Sequence, residues 1–85
     1  MNHKEVIQTI SERSSKSEAI CESVIRSYEK YCERNLTQTS NKHMKAIVEY
    51  ISNEELIDCL ICQAVMERYF DLLEEQIKKK LPFIR

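Results

Sequence analysis

The absence of glycine is the feature of this sequence that most restricts its fold. The 85-residue chain contains no Gly and a single proline, Pro82. Strands joined by tight turns usually need Gly, Asn-Gly or Pro at the turns. The chain is instead rich in Glu, Lys, Leu, Ile, Ser and Arg, a composition that favours helices. The sequence therefore predicts an all-α protein, a helical bundle of about four helices.

Length and charge set limits on the core and on the partners. A chain of 85 residues allows one domain with a modest core, and small domains often gain stability by oligomerising. Thirteen basic residues nearly balance fourteen acidic ones. The chain therefore has no overall field that would draw it to nucleic acid or to an anionic membrane.

Hydrophobic periodicity predicts four helices, over about 3–12, 17–35, 42–51 and 53–80. Asn2 and Glu5 form a capping-box pattern at the first helix. Ser15-x-x-Glu18 is a second capping box, and Ser17 is an equally good cap for the second helix. Ser52-x-x-Glu55 is a further capping box at the start of the last helix. The prediction is a single domain over 1–85, made of a hairpin (1–35), a linker (36–42), a second helical pair (43–81) and a tail (82–85).

The most apolar stretch of the chain is Leu56–Met66, which reads LIDCLICQAVM. No helix breaker occurs between 53 and 81, so we predict one central helix of about 28 residues, about 42 Å long. A helix that is apolar nearly all round must be covered nearly all round, and a helix of this length overhangs a domain of this size. Both arguments predict a homodimer, with an interface flank formed by Cys59, Cys62, Met66, Tyr69 and Phe70.

The two halves of the chain show a hint of an internal repeat. HKEVIQTIS followed by SEAICESVI resembles MKAIVEYIS followed by NEELIDCLI. Each half would be a short helix, a polar corner and a longer helix. Duplication is one explanation, and the general likeness of amphipathic hairpins is the other.

The four cysteines are predicted to be reduced and buried. The N-terminus MNHKEVIQ lacks the pattern of a signal peptide, and the apolar run is too short to span a membrane. These observations predict a cytoplasmic protein whose Cys21, Cys32, Cys59 and Cys62 act as small hydrophobic residues. Cys59-x-x-Cys62 lies on one face of a helix and is a candidate metal-ligand pair. Its further ligands would have to come from isolated residues, Cys21, Cys32, His3 and His43.

No constellation of residues indicates catalysis. The sequence has no Gly-rich phosphate loop, no HExxH and no nucleophile elbow, so we predict no enzyme activity and no cofactor. Asp58 is the one acid embedded in the apolar run, and it could face a partner, or pair with Arg68 or a Lys across an interface. The basic residues Lys78, Lys79, Lys80 and Arg85 complement a helix dipole or form a contact for an anion or an acidic partner.

The opening of the chain resembles the HU and integration-host-factor family of nucleoid proteins. The segment MNHKEVIQTISERSSKSEAICESVI matches the short helix, the Ser-bearing corner and the second helix of that family, and the match covers residues 1 to about 32. The β-ribbon arms with which that family holds DNA have no counterpart here. The resemblance therefore implies a dimerising helical hairpin and does not imply DNA binding.

The second half resembles the sporulation histidine-kinase inhibitor Sda, a small helical hairpin. ISNEELID (51–58) is similar to the start of its first helix, and YFDLLEEQIKKK (69–80) is similar to its second helix. A few residues of the turn in that family must be missing here. The resemblance implies a regulator that binds the helical region of a signalling kinase.

Together these observations predict a small, non-catalytic, cytoplasmic and bacterial interaction or regulatory protein. It would dimerise and dock a helical surface on a protein partner, with no membrane contact. The alternative is a nucleic-acid-associated protein that uses a dimeric hairpin and the basic C-terminal tail. A further alternative is a metal-binding protein with cysteine ligands, Cys59 and Cys62.

Overall fold

The structure, a computed structural model, describes residues 2–80, with side chains up to Lys78. It confirms the all-α prediction, because the described residues form a four-helix bundle and contain no strand. The helices are α1 (His3–Ser14), α2 (Glu18–Arg34), α3 (Met44–Glu55) and α4 (Cys59–Lys80), and a 3-10 turn (Asn41–His43) leads into α3.

The predicted caps of the first two helices are present. The Asn2 side chain accepts a hydrogen bond from the Glu5 backbone N–H at 2.9 Å, and the Glu5 carboxylate accepts one from the Asn2 N–H at 3.4 Å. Of the two candidates for the second helix, Ser17 is the cap: its hydroxyl accepts a hydrogen bond from the Ile20 N–H at 3.2 Å. These bonds satisfy backbone donors that have no partner inside the helix.

The predicted single helix over 53–80 is wrong, because the chain turns between α3 and α4. Helix α3 continues to Glu55, and Leu56 then takes left-handed backbone angles, φ 56° and ψ 42°. Asp58 caps the start of α4: its side chain accepts a hydrogen bond from the Leu60 N–H at 2.7 Å. Ser52 does not cap a helix; its hydroxyl donates to the Ile57 carbonyl at 2.7 Å. Helix α4 has 22 residues, about 33 Å, which removes the argument for a dimer from an overhanging helix.

The core lies between the four helices and contains residues that were predicted to face a partner. Cys62 and Met66 are both 0% exposed, so the prediction that they belong to an open interface flank is corrected: they are core residues of this chain. The burial follows from the turn at Leu56, which sets the rotation of α4 independently of α3. The buried apolar residues are Ile7, Ile10, Cys21, Val24, Ile25, Tyr28, Tyr31, Ile47, Val48, Ile51, Cys62, Val65, Met66 and Leu72.

The two halves of the fold repeat with a constant offset. Helix α1 begins at His3 and α3 at Met44, while α2 begins at Glu18 and α4 at Cys59, so both pairs of starts lie 41 positions apart. The sequence Ile-Cys-x-x-Val occurs at 20–24 and again at 61–65, and its Cys and Val are fully buried both times. The repeat suggested by the sequence therefore includes the longer helices. Their register differs from the predicted one, because Ser17 aligns with Asp58 and not with Asn53.

Each half also completes the core of the other. Helix α1 packs against α2 and α4, and helix α3 packs against the same two helices. Polar contacts also join the halves. The Arg13 guanidinium donates two hydrogen bonds to the Glu75 carboxylate, at 2.7 and 3.0 Å, and the buried Ser27 hydroxyl donates to Glu55. The fold is thus a pair of similar helical hairpins packed on each other.

Candidate functional site

Two leucines project from the corner between α3 and α4. Leu56 is 90% exposed and Leu60 is 77% exposed. We call this pair the leucine edge. Isolated exposed leucines are common on protein surfaces, but these two lie four positions apart, on either side of the Asp58 cap. They place two large apolar side chains in water at one corner of the bundle.

The backbone at Leu56 adds to the cost of placing a leucine there. A left-handed conformation crowds the Cβ atom of an L-residue and costs roughly 1–2 kcal/mol. Helices that end in this way usually do so at Gly, and sometimes at Asn. Leu56 therefore gives the isolated chain neither a relaxed backbone nor a buried side chain.

The first half of the chain builds the same corner from small residues. Ser15 has φ 60° and ψ 32°, close to the angles of Leu56, and Ala19 lies at the position that corresponds to Leu60. The supporting hydrogen bond is also repeated: the Ser11 hydroxyl donates to the Lys16 carbonyl at 2.6 Å, as Ser52 does to Ile57. The corner geometry is therefore compatible with small side chains at both positions of the leucine edge.

A groove of about 430 Å³ lies between α3 and the first turns of α4. We call it the corner groove. Met44, Val48 and Cys59 contribute its apolar surface, and Lys45 and Glu49 contribute opposite charges on α3. The residues that line it are Met44, Lys45, Val48, Glu49, Cys59 and Gln63.

The corresponding positions in the first half are more polar. His3 and Glu18 replace Met44 and Cys59. Glu22, which replaces Gln63, pairs with Arg26 at 2.6 Å and lies 4.0 Å from the His3 ring nitrogen Nε2. The apolar character of the corner groove is thus a property of the second half alone.

The two cysteines of Cys59-x-x-Cys62 have different environments. Cys59 is exposed and lines the corner groove. Cys62 is fully buried, its thiol donates to the Ile57 carbonyl at 3.7 Å, and burial raises its pKa to about 11. A thiol with this pKa is protonated near neutral pH, and the thiolate is the form that binds metal or acts as a nucleophile. Among the described residues, no group of three or more His, Cys, Asp or Glu side chains converges as a metal site would require.

Tyr69 and Phe70 form an aromatic cluster with Tyr28. Their ring centroids lie 5.8 and 5.6 Å from that of Tyr28. Both pairs are edge-to-face, an arrangement that aromatic rings prefer. Both rings are half-buried against the core. A second groove of about 370 Å³ lies next to this cluster, lined by Tyr28, Thr39, Ser40, Asn41, Phe70, Leu73, Glu74 and Ile77.

The charged candidates make local contacts. Lys78 pairs with Glu74 at 3.2 Å on the same helix, while the side chains of Lys79 and Lys80, and all of Arg85, lie outside the described part of the chain. Arg68 pairs with Asp71 at 3.2 Å on the same helix. Asp58, the acid in the apolar run, caps helix α4.

The surface that stands out in the structure, the leucine edge, was not among the predicted site residues. A signal for it exists in the sequence: when the halves are aligned 41 positions apart, Leu56 and Leu60 fall opposite Ser15 and Ala19. Comparisons with protein-family models, curated proteins and solved structures found no significant match. Within the described region, no helix has the length and apolar character needed to cross a bilayer.

Proposed function

We propose that this chain is a small, non-catalytic interaction or regulatory protein of the cytoplasm, which dimerises and docks a helical surface on a protein partner. The observation that carries the proposal is the leucine edge. Leu56 and Leu60 are exposed at a corner that the first half of the same chain builds with Ser15 and Ala19. Because the fold accommodates small residues there, the leucines are best explained by a contact outside the fold.

The free energy gained by burying the two leucines indicates whether they are sufficient for binding. Burying one leucine side chain contributes about 1.5–3 kcal/mol, so the two together contribute about 3–6 kcal/mol. Micromolar affinity corresponds to about 8 kcal/mol, after the cost of association has been met. The leucine edge is therefore part of a larger interface.

The charge balance fits a contact of this kind. The formal net charge at pH 7 is −1, so long-range attraction contributes little to the encounter. Shape and local contacts then decide which partner binds. This is the behaviour expected of a protein that docks by an apolar helical surface.

The test replaces the leucine edge with the residues of the first half. In the variant Leu56→Ser/Leu60→Ala, both positions carry side chains that the equivalent corner already accommodates, so the fold should be retained. The matched control is Leu36→Ser, which removes a leucine that is 80% exposed in the α2–α3 connection. Each chain is cross-linked to its neighbours in its native host, and the captured proteins are quantified by mass spectrometry.

We expect a specific set of captured proteins to be shared by the wild type and the Leu36 variant and to be lost with the corner variant. Circular dichroism should show equal helix content in all three chains. If the corner variant captures the same proteins in the same amounts as the wild type, the leucine edge is not a docking surface and the proposal is overturned.

A further inference from the structure

We infer that the corner groove receives a second copy of this chain, with the two α3 helices antiparallel across a two-fold axis. The inference rests on the dimerisation part of the proposed function and names the surface through which the copies meet. Most homodimers are closed by a two-fold axis, so that the same patch is used on both copies. A patch of this kind must be complementary to itself.

The charges on α3 meet that requirement. Lys45 and Glu49 lie one helical turn apart, and both line the groove. A two-fold axis that passes α3 at the level of Ile47 brings Lys45 of one copy opposite Glu49 of the other, and the reverse pair forms by symmetry. Within the described residues, neither side chain makes an ion pair of its own chain, so both charges are available for these contacts.

The apolar part of the groove lies beside the same charges. Met44 is half-buried and Cys59 is exposed, and both line the groove with the buried Val48. An apolar centre with charged residues at its edge is the usual composition of a protein interface. Antiparallel packing of α3 would cover the Met44 and Cys59 side chains of both copies.

The repeat explains why α3, and not α1, is the element that pairs. Lys4 occupies the position of Lys45 in the first half, but Gln8 replaces Glu49 and His3 replaces Met44. A two-fold contact through α1 would therefore bring each Lys4 opposite an uncharged Gln8, over a less apolar surface. The first half lacks both features that make the corner groove complementary to itself.

The decisive experiment exchanges the charges. In Lys45→Glu, two acidic residues of each copy face two acidic residues of the other; in Glu49→Lys, the facing residues are all basic. We expect each variant to weaken the dimer roughly tenfold, because two favourable pairs become two repulsive ones. An equimolar mixture of the two variants should form a heterodimer of nearly wild-type affinity, since every facing pair is then of opposite sign. Affinities are measured by sedimentation velocity.

Lys4→Glu is the matched control, because it makes the same charge change at the equivalent position of the first half. It should leave the dimer affinity unchanged. Helix content is checked by circular dichroism for every chain, and the double variant Lys45→Glu/Glu49→Lys should recover self-association. That recovery separates loss of an interface contact from loss of the fold.

Alkylation of Cys59 by iodoacetamide gives an independent measurement. Its rate in the wild type should fall as protein concentration rises through the dimer range, while the rate at the half-buried Cys32 should not change. In the Lys45→Glu variant the protection of Cys59 should be lost, and mixing with the Glu49→Lys variant should restore it. Mass spectrometry of tryptic peptides distinguishes the two thiols.

The outcomes separate this inference from the docking proposal. A wild-type chain that is monomeric at its highest soluble concentration overturns the second-copy inference, and capture through the leucine edge can still be observed. The inference is also overturned if Lys4→Glu weakens the dimer as much as Lys45→Glu does, or if mixing the Lys45→Glu and Glu49→Lys chains does not restore it. In either case the copies meet through another surface. If capture through the leucine edge fails while mixing restores the dimer, the second-copy inference stands and the docking surface is refuted.

Discussion

Ser15 and Leu56 end their helices with nearly the same left-handed backbone angles, yet the corners they form have different surfaces. At the α1–α2 corner the exposed residues are small or polar, and at the α3–α4 corner they include Leu56 and Leu60. The first corner shows what the backbone requires. The difference between the two corners identifies Leu56 and Leu60 as side chains that the corner backbone does not require.

The comparison also extends to the interior, where the two halves agree. Cys21 and Cys62 are both fully buried, as are Val24 and Val65. Equivalent interior positions are therefore packed in the core in both halves. The halves should respond alike to changes in the core and at the corner backbone, and differently only to changes at the exposed surface of the corners.

The largest expected effect comes from truncating an equivalent pair in the core. Ile10 and Ile51 are both 0% exposed, so Ile10→Ala and Ile51→Ala should each lower the free energy of unfolding by about 2–5 kcal/mol. Urea denaturation followed by circular dichroism measures this loss. If the alanine variants do not fold, Ile→Val at each position should cost about 0.5–1.5 kcal/mol. A loss in one half only would break the structural equivalence.

The buried cysteines predict loss of stability in alkaline solution. Burial raises the pKa of Cys62 from 9.0 to about 11 and also raises the pKa of Cys21. Below pH 9 both folded and unfolded thiols are neutral, so stability is unaffected; above pH 9 the unfolded thiols ionise first and favour unfolding. For Cys62 the loss approaches about 2–3 kcal/mol near pH 11. Unfolding curves between pH 8 and pH 11 should be less pH-dependent in Cys62→Val, and an unchanged slope would contradict the burial.

The serine bridges at the two corners should contribute similar, smaller amounts. Ser11 donates to the Lys16 carbonyl and Ser52 donates to the Ile57 carbonyl. Ser11→Ala and Ser52→Ala should each cost about 0.5–1.5 kcal/mol, since each removes one side-chain hydrogen bond. Thermal unfolding of the two variants gives the comparison. A marked difference would show that the bridge supports only one of the two corners.

Glycine at the left-handed positions should give the smallest effect, with the opposite sign. Ser15→Gly and Leu56→Gly each relieve the crowding of a Cβ atom, while the added freedom of the unfolded chain offsets part of the gain. We expect each variant to be more stable by about 0.5–1 kcal/mol in urea denaturation. Only Leu56→Gly should also reduce capture of partner proteins, and a loss of capture with Ser15→Gly would make the two corners functionally alike.

The sequence was sufficient to predict the helical class and the first two caps, because these depend on local patterns. The lack of Gly disfavours tight turns along the whole chain. The Asn2–Glu5 pair and Ser17 each act within one turn of a helix. The break at Leu56 was missed because leucine rarely occupies a left-handed position. Asp58 was missed as a cap because its neighbours are apolar, and the surrounding run gives the period of a continuous helix.

The interface prediction failed for Cys62 and Met66 because it depended on that missing break. With α3 and α4 treated as one helix, Cys62 and Met66 were assigned to the open flank. The turn places Cys62 in the core and Leu60 in solvent. The rotation of a helix about its axis is set by the residues that end the preceding helix, and three residues were enough to reverse the assignment here.

The connection between the two hairpins, residues 35–43, has a thermodynamic consequence. If the hairpins were separate molecules, their pairing would depend on protein concentration. Joined by this short connection, they meet at an effective concentration of about the millimolar range. The bundle therefore assembles at any dilution, and the dimer that we propose at the corner groove can form or dissociate with protein concentration without unfolding the chain.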